Sequence, residues 1–268
     1  MNNQPIGIFD SGIGGLTIAQ AVKKMLPNES IIYFGDTAHL PYGDKSTAAI
    51  QSYVVKICDL LIKRHCKVIL IACNSASAAA YELAKEYVAS KAKVINVIDP
   101  IVSHIGTHYR QQTIGLIGTQ KTVSSNVYQK KINNLDADIF LKSLATKLLV
   151  PMIEEGYFNN NISTNIINNY LSDEKLSGIK ALILGCTHYP LIKNEIEKYY
   201  KGSVEVIDAS DIVAESLKNI LLSNGLNTDT SSVPEHFFFV SDYTKSFVAS
   251  TKIFFGEEVN LEYYPLWE

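Results

Sequence analysis

The chain has 268 residues, 47% hydrophobic and 19% charged, with 24 basic against 27 acidic side chains and a formal net charge of −3. That length suits one large domain or two of about 100–150 residues each with sizeable cores. The balance excludes a disordered chain and argues against the strongly basic face of a nucleic-acid binder.

Short apolar runs alternate with helical patterns along the chain. A strand is expected over 6–9, a helix over 16–25 and a strand over 31–34. Residues 47–64 form the clearest helix, because Ile50, Tyr53, Val54, Ile57, Cys58, Leu61 and Ile62 recur at i, i+3, i+4 and i+7. Then follow a strand over 68–72, a helix over 75–90, and strands over 94–98, 113–117, 139–144 and 180–184. A helix over 191–200, a strand over 204–207, a helix over 211–223 and a strand over 237–240 complete the series. The asparagine-rich 159–161 and the segment 224–230 read as surface loops. Continuous apolar runs bounded by Gly, Asp or Asn suit strands covered on both faces, so the expectation is an α/β fold with mostly parallel sheets. No apolar run reaches the ~20 residues of a membrane span, and the Met-Asn-Asn-Gln-Pro start lacks the pattern of a secretory signal. A cytoplasmic protein is expected.

The pattern repeats weakly. Val68 to Ser77 is a strand, then Cys73, then two polar residues and a helical pattern; Ala181 to Pro190 repeats this around Cys186. The stretch Pro5-Ile-Gly-Ile-Phe-Asp10-Ser-Gly likewise resembles Thr113-Ile-Gly-Leu-Ile-Gly-Thr-Gln. Two similar α/β units would each place one cysteine at the carboxyl end of a strand, where open α/β sheets bind ligands.

Four cysteines without a secretory signal are not a disulfide framework, and reduced thiols are expected. Cys73 precedes Asn74 and Ser75 at a helix start, where backbone N–H groups favour a thiolate and bind carboxylates. Cys186 is followed by Thr187 and His188, and that imidazole can exchange a proton with a thiol or hold charge beside it. Cys58 lies on the apolar stripe of its helix and reads as core. Cys66 has basic neighbours but no other sign of a site. No Cys-x-x-Cys pair exists, so no metal is expected. Asp10 opens the glycine-rich Asp10-Ser11-Gly12-Ile13-Gly14-Gly15, which matches neither a dinucleotide fingerprint nor a P-loop; its plainest role is a helix cap. The loop from Asp36 to Gly43 offers the Tyr42 hydroxyl and the Gly43 amide. Glu154, at a helical start, reads as a solvated carboxylate.

Taken together, Gly7 to Gly15, Phe34 to Gly43, Ala72-Cys73-Asn74-Ser75-Ala-Ser77, Val150 to Gly156 and Leu184 to Pro190 resemble the glutamate racemases of the cofactor-independent aspartate/glutamate racemase superfamily. The matching segments span nearly the whole chain in the family's order. The resemblance implies two α/β domains with the active site in the cleft between them, one formed by 1–98 plus 208–268 and the other, inserted, by 99–207. It implies interconversion of L- and D-glutamate without a cofactor, one cysteine removing the α-proton while the other protonates the opposite face. Cys73 and Cys186 match those residues. Asp10 would assist Cys73, and His188 and Glu154 would assist Cys186. Asp10, Ser11, Tyr42, Gly43, Asn74, Ser75, Thr187 and His188 match the substrate-binding positions. Supply of D-glutamate for peptidoglycan and a homodimer are also implied. Two departures stand out: Ser75 replaces a common Thr but keeps the hydroxyl, and Ala145-Thr146-Lys147 stands where many members read Ala-Cys-Pro. Other readings are a racemase of aspartate or another amino acid, a non-catalytic dicarboxylate-binding protein, and a thiol redox sensor bridging Cys73 and Cys186.

Overall fold

The buried apolar runs do become strands. The computed structural model describes residues 3–228, 233–243 and 251–268. Its elements begin with β1 (Ile6–Asp10), α1 (Leu16–Met25), β2 (Ile31–Gly35), α2 (Thr47–Lys63), β3 (Val68–Ile71), α3 (Asn74–Val88) and β4 (Lys93–Asn96). Next come α4 (Ile98–His108), β5 (Thr113–Gly118), α5 (Gln120–Ser124), α6 (Val127–Asn133), β6 (Phe140–Ala145), α7 (Leu149–Glu154) and α8 (Asn161–Leu171). The last are β7 (Ala181–Gly185), α9 (Lys193–Tyr200), β8 (Glu205–Ile207), α10 (Ala209–Ser223), β9 (His236–Val240) and β10 (Leu261–Tyr263). Among the described residues no helix is long and apolar enough to cross a membrane.

The chain divides into two units, Met1–Val97 with Ser210–Glu268, and Ile98–Ala209. The first holds a sheet in the order β10-β9-β2-β1-β3-β4, and the second a sheet in the order β6-β5-β7-β8. All pairings are parallel, with Ile6 opposite both Ile31 and Val68, and Ile114 opposite both Leu141 and Ala181. Within the order β2-β1-β3-β4 the first unit matches β6-β5-β7-β8 of the second, strand for strand, so the weak repeat in the sequence is a repeat of topology. Every residue of β1, β2, β3, β5 except Thr113, and β7 is buried. Parallel strands have no solvent face to supply polar alternation, which is why these segments read as unbroken apolar runs.

Helix α2 shows how the sequence sets its own boundaries. Ser46 caps it by accepting a hydrogen bond from the Ala49 N–H at 3.2 Å, and Ile50, Val54, Ile57, Cys58 and Leu61 on its inward stripe are fully buried. The expected strand over 94–98 stops at Asn96, and Ile98 already begins α4. Pro100 sits in the first turn of that helix, where a missing N–H costs nothing and the fixed φ suits the helix. Of the segment read as a loop at 159–161, Asn159 and Asn160 are a non-helical bend and Asn161 begins α8: Asn160 accepts from the Ile162 and Ser163 N–H groups while the Ser163 hydroxyl accepts from the Asn160 N–H. This reciprocal cap stabilises a helix whose residues are poor helix formers on average. The short strand β10 was not foreseen. Of the loop expected over 224–230, residues 224–228 are non-helical, and 229 and 230 lie outside the described residues.

At the amino edge of the first unit's sheet a charged cluster is buried. Lys67 Nζ lies 2.6 Å from Glu29 Oε2, the two side chains being 2% and 3% exposed. Thr228 closes the cluster, donating its N–H and hydroxyl to Glu29 and accepting from Lys67. Glu29 lies just before β2 and Lys67 just before β3, so this cluster is at the opposite end of the strands from Asp10 and Cys73. Removing one member leaves an uncompensated buried charge. Glu29→Gln is therefore expected to lower the free energy of unfolding by about 3–5 kcal/mol in denaturant titrations, with turnover per folded molecule unchanged.

Candidate active site

Both sheets change winding direction between two adjacent strands, β1 and β3 in the first unit and β5 and β7 in the second. The chain leaves those two strands toward opposite faces, which opens a crevice at their carboxyl ends. Cys73 follows β3 at one such point and Cys186 follows β7 at the other.

In the first unit Asp10 ends β1 fully buried. Its Oδ2 accepts hydrogen bonds from the Gly15 N–H at 2.9 Å and the Gly12 N–H at 3.3 Å. Its Oδ1 is buried and takes no hydrogen bond from the described residues. The glycines are demanded by crowding: a Cβ on Gly15 would lie 2.5 Å from Asp10 Cβ and 3.0 Å from Tyr33 Oη, and one on Gly35 would overlap the Gly12 carbonyl. Tyr33 donates its hydroxyl to that same carbonyl at 2.8 Å. Burial, with the neighbouring Asp10 and Cys73 charges, pushes its ionisation well above the usual tyrosine range, so it remains a neutral donor.

Cys73 is the N-cap of α3, its Sγ accepting from the Ala76 N–H at 3.5 Å. Its thiol also lies within reach of Ser11, donating to Oγ at 3.6 Å. A thiolate here faces the positive end of a 15-residue helix. Asn74 and Ser75, in the first turn of that helix, are 4% and 2% exposed. Tyr42 packs in the same apolar cluster as Cys73. The Tyr42 hydroxyl donates to Asp36 Oδ2 at 2.6 Å, because a fully buried carboxylate must find donors, and its oxygen remains an acceptor. Gly43 follows it in a 3-10 turn (Tyr42–Asp44).

In the second unit Cys186 Sγ lies 3.7 Å from His188 Nδ1, and His188 Nε2 lies 3.1 Å from Glu154 Oε1. Glu154 is thus no solvated bystander; its side chain is 25% exposed and pairs with a histidine that is 5% exposed. Burial alone would lower the His188 pKa, but the interactions with Cys186 and Glu154 outweigh it and push it up to about 10. A thiolate at Cys186 and the Glu154 carboxylate thus both favour the imidazolium. No regular helix starts at Cys186. A 3-10 turn (Tyr189–Ile192) comes first and α9 begins at Lys193, two residues later than expected. The two cysteines, matched in sequence, thus have different partners: a helix N-terminus for Cys73 and a cationic ring for Cys186. Thr187 beside it is 6% exposed.

Two residues at this edge have a structural role that their sequence context does not assign. Thr119 occupies after β5 the position that Ser11 holds after β1, and caps α5 by accepting from the Thr122 N–H at 3.2 Å. The internal repeat already aligns Thr119 with Ser11. Thr146, the departure from the common Ala-Cys-Pro, is 1% exposed. Its Oγ1 lies 2.6 Å from Tyr189 Oη, and its N–H donates to Gly118 O at 2.9 Å. The three strand ends of β5, β6 and β7 are joined through this one side chain. Cys58 and Cys66 behave as core thiols: burial pushes each up to about 12.

Comparison with known proteins agrees with this geometry. The family described as Asp/Glu/Hydantoin racemase matches residues 16–217. The chain is 37% identical to a glutamate racemase of Geobacter metallireducens over 251 residues, covering 94% of this chain and 92% of that protein. The crystal structure of glutamate racemase from Francisella tularensis, in complex with D-glutamate, superposes with a TM-score of 0.92 at 41% identity, covering 100% of this chain and 99% of that one. A glutamate racemase isoform from Bacillus anthracis gives a TM-score of 0.90 at 32% identity, with 98% of each chain covered. With two strand-end cysteines, each held at the winding reversal of a parallel sheet, the chain belongs to the Asp/Glu/hydantoin racemase family.

Proposed function

We propose that this chain interconverts L- and D-glutamate by transfer of the α-proton between Cys73 and Cys186, without a cofactor. The observation that carries the reading is the pair of strand-end thiols, each with its own polar partners. Racemisation needs a base on one face of the α-carbon and an acid on the other, with the roles exchanged in the reverse direction. One thiolate removes the proton and becomes a thiol; the other thiol delivers its proton to the opposite face and becomes a thiolate. Asp10 Oδ1 is a buried acceptor at the Cys73 end, suited to receive a proton from that thiol or to hold the substrate ammonium. The His188 imidazolium stabilises negative charge on Cys186 and is itself held by Glu154. Ser11, Asn74, Ser75, Thr187 and the Gly43 amide are the polar groups for the substrate's carboxylates. Tyr42, its hydroxyl proton given to Asp36, contributes its ring, its backbone and the acceptor side of its hydroxyl oxygen.

The likeness to the Francisella enzyme holding D-glutamate supports glutamate as substrate. An acidic chain is no obstacle to a dianionic substrate, since helix N-termini and local donors bind carboxylates without a basic surface. Membership of the racemase family extends the proposal to a cytoplasmic homodimer that supplies D-glutamate for peptidoglycan.

L-Glutamate incubated in D₂O with no added cofactor is expected to yield D-glutamate deuterated at the α-carbon. Product without deuterium would sink the two-thiol mechanism. Cys73→Ser and Cys186→Ser are each expected to reduce kcat/KM by about 10²–10⁴-fold in both directions; glutamate binding with no turnover in the unaltered protein would favour a non-catalytic carrier. Parallel rates on aspartate decide between the two amino acids.

The His188 pairing gives a pH prediction. Its pKa rises from 6.5 in the unfolded chain to about 10 in the fold, so the native state holds the proton more tightly. That stabilisation is complete below pH 6.5 and is lost as pH rises toward 10. In denaturation series across this window, the stability advantage of the parent over His188→Asn is expected to shrink. A gap independent of pH would remove the cationic His188 from the mechanism.

A further inference from the structure

The loop between β2 and α2 is built around one fully buried carboxylate, Asp36. Its Oδ2 accepts the Tyr42 hydroxyl at 2.6 Å and lies 3.0 Å from His39 Nδ1. Its Oδ1 accepts the Ser241 hydroxyl and the Trp267 indole N–H, each at 2.7 Å. Oδ2 therefore faces the loop itself, while Oδ1 faces mainly a segment more than two hundred positions further along the chain. The backbone N–H of Asp36 donates to Asp10 O at 3.0 Å, joining the same residue to the strand end that carries the candidate acceptor. The distal segment is stitched on further: the Ala38 N–H donates to Ser241 Oγ at 3.0 Å, and Thr37 Oγ1 donates to Asp242 O at 2.6 Å. Trp267 also closes the outer side, its ring edge-on to His39 at 4.4 Å, while His39 stacks on Tyr53 at 4.0 Å.

We propose that Trp267 is a positioning residue for the substrate loop over 36–44: its indole N–H orients the Asp36 carboxylate, which in turn fixes Tyr42 and the Gly43 amide behind it against Cys73. The inference rests on the glutamate reading and adds to it a residue that never touches the substrate. A buried carboxylate deprived of one charge-assisted donor must turn toward its remaining partners. Tyr42 is tied to the opposite oxygen and turns with it. The loss is felt where the loop meets the substrate, not at the sulfur that moves the proton, so it belongs in KM.

Trp267→Phe keeps an aromatic ring against His39 and removes the indole N–H together with the pyrrole half of the ring. KM for L-glutamate is expected to rise about tenfold with kcat altered less than about twofold. Amide exchange should quicken over 37–44 and stay unchanged over 74–77. Ser241→Ala, which removes the other distal donor to the same oxygen, should act in the same direction. Because Trp267 acts through Asp36, the double variant Trp267→Phe/Asp36→Asn should bind glutamate no worse than Asp36→Asn alone. Unchanged KM together with unchanged exchange over 37–44, or penalties that simply add in the double variant, would overturn the proposal. An unaltered protein without turnover would instead overturn the glutamate reading, and the exchange rates over 37–44 would still decide whether Trp267 holds the loop.

Discussion

A parallel sheet directs all its strands' carboxyl ends to one edge, and where its winding reverses, two of those ends lose the connections that would otherwise cover them. Each unit of this chain has that reversal, between β1 and β3 and between β5 and β7. Asp10 and Cys73 lie at the first, Cys186 at the second. What surrounds them follows from the same constraint. The loops leaving these strands must pass close to one another, so glycines stand where a Cβ would collide, at Gly15 beside Asp10 and at Gly185 beside Leu116. Buried strand ends also strip water from polar groups, which then gather partners: Asp36 takes hydroxyl, indole and imidazole donors and Glu154 meets His188, while Asp10 Oδ1 takes no hydrogen bond from the described residues. The opposite edge of the first sheet carries the Lys67–Glu29 pair, at the other end of the strands from Cys73.

The central strands were legible because burial on both faces leaves an unmistakable apolar run, and α2 because its stripe repeats at helical spacing. Helix α4 was hidden by the same rule. Val94 to Ile98 is apolar but for Asn96 and reads as one strand, yet β4 ends at Asn96 and the chain turns at Val97. Helix α8 was hidden by composition, since Asn-rich segments favour loops until a reciprocal cap selects the helix. At the site, the cysteines were legible from position, and their partners Asp10, His188 and Glu154 only through the family resemblance. No spacing or periodicity joins Glu154 to His188 across more than thirty residues; the resemblance sets both beside Cys186, and the 3.1 Å contact pairs them. Nor could the order of residues show that Tyr42 spends its hydroxyl on Asp36, or that Ser241 and Trp267 meet that carboxylate from the far end of the chain. Side-chain partnerships across long loops are decided by packing, and sequence patterns report only the elements that pack.

The matched motifs around Cys73 and Cys186 suggest interchangeable thiols, and the structure makes them unlike: one caps a long helix, the other faces an imidazolium. For a substrate and product that are mirror images this asymmetry is tightly bounded. Enantiomers in water have equal free energies, so the equilibrium constant between them is unity, and the Haldane relation then requires the same kcat/KM in the two directions. Unequal thiol environments can therefore not make the protein a better catalyst one way than the other at low substrate. They express themselves in which protonation form of the free protein accumulates between turnovers. That imbalance moves kcat and KM together, by the same factor, and sets at what concentration each enantiomer saturates.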